Sequence, residues 1–135
     1  LQQQAFYERM CEYGKEHARH IKSWRNARPQ HWHSIRIGSS QAHLDATINS
    51  REQQVGMELW IADNKDLFHK LFTKKDEIEE KLGFQLDWQE LPDKKGSRVF
   101  IAKSGDFLDA TESEELIKWL VETADNFSKV FPKYL

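Results

Sequence analysis

Cysteine is almost missing from this chain. Cys11 stands alone, so no intrachain disulfide can form and a reducing, cytoplasmic setting is expected. Proline is confined to Pro29, Pro92 and Pro132, and the six glycines never gather into a loop that would cradle a phosphate. No serine sits in a G-x-S-x-G turn. No apolar run approaches the ~20 residues a membrane helix needs, and no signal peptide opens the chain, so no membrane partner is expected. A strong charge of one sign is also lacking. The net charge of -2 and pI of 6.3 fall short of the strongly basic domain expected of an obligate nucleic-acid binder.

What is present fits one α+β domain. At 135 residues the chain can bury roughly two-thirds of its unfolded surface without a metal or disulfide. The first residue is Leu1 rather than methionine, and the expectation is the carboxy-terminal part of a longer protein. The clearest signal runs from His43 to Ala62. Leu44, Ala46 and Ile48 alternate with Asp45, Thr47 and Asn49; Val55, Met57, Leu59 and Ile61 alternate with Gly56, Glu58 and Trp60. Period two assigns each set to one face of a sheet. Asn49, Ser50, Arg51 and Glu52 supply turn chemistry, so the two runs form a hairpin.

Helical spacing flanks that hairpin. Phe6, Met10, Tyr13, His17, Ile21 and Trp24 predict a first helix, weakened at Gly14 and closed by Pro29. A short strand is expected from His33 to Ile37 after a connector, Gln30-His31-Trp32. Leu67, Phe68, Leu71, Phe72, Ile78 and Leu82 predict one helix, capped by Asp63 or Asn64 and stopped by Gly83. Leu86 and Trp88 alternate with Asp87 and Gln89, and Val99 and Ile101 with Arg98 and Phe100, predicting a second hairpin. Thr111 to Glu114 fits a capping box at the head of a helix that buries Leu116, Ile117, Leu120, Val121, Ala124 and Phe127. The expected order is α-β-β-β-α-β-β-α: a mainly antiparallel five-stranded sheet, helices packed on one face.

Charge is unevenly spread. Lys15 to Arg36 holds six bases against one acid, a net of +5, with four histidines and two tryptophans. Asp106 to Asp125 holds seven acids against one base, a net of -6. Such asymmetry marks either an anion-binding face or two surfaces that meet.

The hairpin ATINSREQQVGMELWI, the helix LFHKLFTKKDEIEEKLGF, the stretch LDWQELPDKKGSRVFI and the closing IKWLVETADNFSKVFPKYL together resemble an uncharacterised bacterial and archaeal domain-of-unknown-function family. The W-x-E-L-P and K-K-x-S-R elements between Leu86 and Arg98 are the most specific part. The resemblance covers nearly all the chain from about Trp32 onward. It implies a domain context, since such domains commonly follow a restriction-endonuclease-type nuclease domain, and it transfers no catalytic residue.

The candidate sites differ in the chemistry they could support. His17-x-x-His20 and His31-x-His33 evoke zinc spacing, but His17 lies on the apolar stripe and no cysteine or carboxylate completes the set. A nuclease centre needs clustered acids and a lysine. Glu58 is followed by Leu59-Trp60 where that lysine should arrive, while Glu77, Glu79 and Glu80 read as a solvated helix face. Cys11 reads as a small core residue. Neither catalytic residue, metal nor cofactor is expected.

The candidate nucleic-acid contacts are Arg19, Lys22, Arg25 and Arg28 along the end of helix one, continued by Arg36, Arg51, Lys94, Lys95 and Arg98. Trp24, Trp32 and Trp60 are the aromatic candidates, with a core role the alternative for Trp24 and Trp32. Trp60 is either an interface anchor or covered by helix one. The expected function is an accessory binding domain of a nuclease-like or defence-associated bacterial protein, contacting nucleic acid, with DNA or a nuclease-like domain of the same chain as the partner. The alternative is a non-catalytic interaction or dimerisation module, in which the basic and acidic helices pair within the chain or across a homodimer.

Overall fold

A computed structural model of the chain describes residues 1–135. Its elements are helix α1 (Gln2–His17), strands β1 (Trp32–Ile35), β2 (Ala42–Asn49) and β3 (Gln54–Ile61), helices α2 (Lys65–Phe72) and α3 (Lys75–Leu82), strands β4 (Asp87–Gln89) and β5 (Ser97–Ser104), and helix α4 (Ala110–Val130). A 3-10 turn, Phe131–Tyr134, closes the chain. The five strands form one sheet in the order β1-β2-β3-β5-β4, antiparallel at every step. This is the expected α+β architecture, with the middle helix divided in two.

Alternation sets the two faces. Leu44, Ala46, Ile48, Val55, Met57, Leu59, Ile61 and Val99 are buried together with residues of every helix. Tyr7 on α1 donates to the Ala46 carbonyl and stacks on His33, and Phe68 on α2 meets Trp88, so the helices cover this one face. The central hairpin turns at Ser50 to Gln53, where Asn49 Oδ1 accepts the Glu52 amide at 3.0 Å.

Helix α1 stops earlier than its periodicity predicts. Ala18 turns extended, and the Arg19 and His20 amides donate to Asp125 Oδ1 on α4 at 2.9 and 2.6 Å. Tertiary hydrogen bonds thus take the place of the next helical turn. Ile21 and Trp24 still pack inward, from an irregular segment. Gly14 is the seat of Trp24: a Cβ there would lie 2.1 Å from the indole. His17 is exposed rather than part of a buried stripe.

The predicted middle helix breaks at Thr73-Lys74, where the Thr73 hydroxyl donates to the Lys70 carbonyl at 2.6 Å. A hydroxyl bonded back to its own turn competes with the helical ladder. Asn64 is the cap of α2, and Gly83 ends α3 with φ 91°. Glu79 is not solvated: its carboxylate accepts the Leu86 amide at 2.8 Å and the Trp88 indole N–H at 3.1 Å. At α4 the cap is Asp109, which accepts the Glu112 amide at 2.8 Å, not Thr111. Aspartate caps as well as threonine and lies two residues earlier. Strand β1 begins at Trp32 and ends at Ile35, so Arg36 and Ile37 follow it.

Candidate binding face

The sheet face away from the helices carries the polar half of each alternation. Trp60 on β3 stands between His43 on β2 and Arg98 on β5; Glu58 stands between Asp45 and Phe100; Gly56 stands between Thr47 and Ala102. A groove of about 890 Å³ runs over this face. Trp32, Thr47, Trp60 and Phe100 line it, Asp45 and Glu58 form its floor, and Arg51 and Lys94 stand at its margins.

Arg98 is held in place from three sides. Its Nη1 donates to Glu58 Oε1 at 2.9 Å, its Nε donates to Gln89 Oε1 at 2.7 Å, and its guanidinium lies 4.2 Å from the Phe100 ring centroid. Such a planar, stacked cation is pre-organised for further contacts on its open edge. The Phe100 ring in turn lies over Gly56, where a Cβ would approach it to 2.3 Å. Only glycine leaves room for that ring.

The floor is acidic and sheltered. Asp45 and Glu58 are 7% and 6% exposed although no helix covers them, so neighbouring side chains on the sheet bury them. Burial raises the Glu58 pKa, with Asp45 adding to the rise and the hydrogen bond from Arg98 opposing it. Asp45 accepts the Ser34 hydroxyl at 2.6 Å and lies 3.2 Å from His43 Nε2. A carboxylate between serine and histidine is the wrong order for nucleophilic catalysis, which needs the imidazole beside the hydroxyl. Nowhere do three or more His, Cys, Asp or Glu side chains converge as a metal site would require. Cys11 is buried 3.4 Å from His33 Nε2, and burial pushes its thiol up to about 11. A protonated, enclosed thiol is inert.

The loop from Glu90 to Gly96 closes one end of the groove. Lys65 Nζ donates to the main-chain carbonyls of Glu90, Leu91 and Gly96 and to Ser97 Oγ, the last three at 3.0, 2.8 and 3.1 Å. Ser97 Oγ donates onward to the Glu90 carbonyl at 2.8 Å. This clamp shapes the W-x-E-L-P and K-K-x-S-R stretch and delivers Lys94 to the groove, while Gly96 lies against Trp60.

The structure thus brings together Trp32, Trp60, Arg51, Lys94 and Arg98 from three strands and two turns. Lys95 is exposed on the same turn but does not line the groove. Arg19, Lys22, Arg25 and Arg28 lie on the irregular segment after α1 and form no helical surface. None of them, nor Arg36, pairs with a carboxylate side chain, so the basic stretch does not neutralise the acidic α4 through ion pairs. Arg25 and Arg36 face a second hollow. Trp24 packs against the core and Gly14, which makes it structural. Phe100, Gln89, Asp45 and Thr47 join the site without having been singled out. The strand alternation that pairs Phe100 with Arg98, and Asp45 with Thr47, was the signal for three of them.

These features define an open-faced α+β domain, with one sheet face built into the core and the other lined by a polar groove. Over residues 2–135 the chain matches a family described as a domain of unknown function, DUF4268, and it belongs to that family. No curated protein and no solved structure matches it.

Proposed function

We propose that this domain is a non-catalytic nucleic-acid-binding module that holds a single strand across its open sheet face. It would serve as an accessory domain to the nuclease-type neighbour that the family resemblance implies. The observation that carries this reading is the groove itself: Trp32, Trp60 and Phe100 with the pre-set guanidinium of Arg98, flanked by Arg51 and Lys94. Aromatic faces stack on unpaired bases of any sequence, and marginal cations neutralise phosphates. The acidic floor favours a single strand over a duplex. A strand laid with bases inward presents exocyclic amines to Asp45 and Glu58 and keeps its phosphates at the basic margin; a duplex would press phosphates toward the carboxylates.

A second reading rests on the same floor. Asp45 and Glu58 stand side by side with Arg98 as the one permanent cation paired to them, which suits a protein partner that brings a basic side chain. Binding of short oligothymidylate, measured by fluorescence anisotropy at several salt concentrations, separates the two. The nucleic-acid reading expects Trp60→Ala to weaken binding by about 1–3 kcal/mol. It also expects Arg51→Gln with Lys94→Gln to reduce the salt slope by ~0.7 per lost phosphate contact. No binding by the wild type at low salt overturns it in favour of the protein partner.

A further inference from the structure

A second hollow of about 550 Å³ opens beside the groove at the β1–β2 end of the sheet. Arg25, Arg36 and His43 line it with the hydroxyl-bearing residues Ser34, Ser39 and Ser40. We propose that this hollow is a phosphate monoester site, which takes the terminal phosphate of a strand lying in the groove.

The charge balance supports an anion. Neither Arg25 nor Arg36 has a carboxylate partner anywhere in the chain, and no acid lines the hollow. Asp45, whose partners Ser34 and His43 line the hollow, is already engaged by both. That engagement orients His43: with Nε2 turned to Asp45, the opposite ring nitrogen is left for a ligand.

The loop leaves the hydroxyls of Ser39 and Ser40 to donate into the hollow, since Ser39 Oγ only accepts within it. Gly38 has φ 80°, a left-handed turn that glycine adopts without strain, and the Gln41 amide donates to Ser39 Oγ at 3.1 Å. Arg25 comes from the segment after α1, where the Cys11 thiol donates to its carbonyl at 3.7 Å. Two guanidiniums approaching from separate segments suit a dianion with three free oxygens better than a singly charged diester.

Position links the hollow to the groove. Asp45 lines the groove while its two hydrogen-bond partners, Ser34 and His43, line the hollow. The two are therefore joined through the Ser34–Asp45–His43 hydrogen bonds. A strand whose bases occupy the groove can end with its phosphate in the hollow. This inference rests on the nucleic-acid reading for its ligand, and on the unpaired arginines for its anion.

The test compares oligothymidylates that end in a hydroxyl with the same oligomers carrying a 5′- or a 3′-phosphate. A terminal phosphate at one end is expected to tighten binding roughly tenfold, the equivalent of one well-made charged hydrogen-bond pair. Arg25→Gln with Arg36→Gln should erase that advantage, so that phosphorylated and hydroxyl-ended strands bind alike, whereas Trp60→Ala should weaken all the oligomers and keep the advantage. Equal binding of phosphorylated and hydroxyl-ended strands overturns the hollow as a phosphate site and leaves the groove reading intact. If no oligomer binds, the groove reading fails, and inorganic phosphate decides the hollow alone. A rise in melting temperature with phosphate that the double arginine variant lacks supports the anion site; an equal response in both proteins overturns it.

Discussion

The indole of Trp60 rests on Gly96, so closely that a Cβ at Gly96 would fall 2.3 Å from its Cζ2 atom. The groove's central aromatic is therefore positioned by a glycine in the loop that Lys65 clamps. Gly96→Ala has no room for its methyl unless the indole moves. We expect a loss of about 1–3 kcal/mol in stability, typical of overpacking. Trp60 should also shift its fluorescence, and oligothymidylate affinity should fall. An unchanged spectrum together with unchanged stability would show that the contact is loose.

Lys65 makes a separable prediction. Lys65→Met removes an ammonium that serves three carbonyls and a hydroxyl. Hydrogen bonds to a charged group contribute about 1.5–3 kcal/mol. Urea unfolding should show a loss of that order, and amide exchange should accelerate from Glu90 to Ser97 ahead of the rest of the sheet. Arginine in its place should not restore the wild-type value, because a planar guanidinium cannot reproduce the compact ammonium geometry.

Core burial of the central hairpin is tested at Leu59, which is fully buried on β3. Leu59→Ala should cost about 2–5 kcal/mol in denaturant unfolding. A loss under about 0.5 kcal/mol, the level of a surface change, would contradict the assignment of faces.

Two buried groups give opposite pH slopes. The Glu58 pKa is raised in the fold above its ordinary 4.5. Its contribution is fully present below that value and is lost as pH rises through the folded pKa. The His33 pKa is lowered from 6.5, chiefly by burial. Its neutral ring is tolerated above 6.5, and stability is lost as pH falls below 6.5 toward the folded value. Relative to wild type, Glu58→Gln should gain stability as pH rises above 4.5, and His33→Gln should gain as pH falls below 6.5. Urea midpoints measured between pH 4 and 8 check both signs.

The parts of the fold that were legible in the sequence are those governed by local repetition. Period-two alternation assigned Leu44, Leu59 and Val99 to one face and Asp45, Trp60 and Arg98 to the other. Local chemistry marked Asn64 and Gly83. Tertiary contacts decided what local pattern could not. Ile21 and Trp24 continue a helical spacing, yet Asp125 captures the amides of Arg19 and His20 and the chain leaves the helix. Glu79 reads as a surface acid until Trp88 arrives beside it. The site was legible as a set of residue types, but its assembly was not. Nothing local places Arg51, Lys94 and Trp32 around one groove, because strand order depends on β5 inserting beside β3 rather than pairing only with β4.

One further consequence comes from the pairing of the first helix with the last. Arg9 Nη1 donates to Ser113 Oγ at 3.2 Å, and Arg19 and His20 meet Asp125, so α1 and α4 run side by side in the same direction. During synthesis α1 emerges before the strands and α4 after them. The flank of α1 that α4 will cover stays open while the sheet forms, and a chaperone or a neighbouring domain has that interval in which to hold it. A chain ended at Asp106 should retain its sheet hydrophobics but show no cooperative unfolding transition, because the helix that locks the amino terminus would not yet exist.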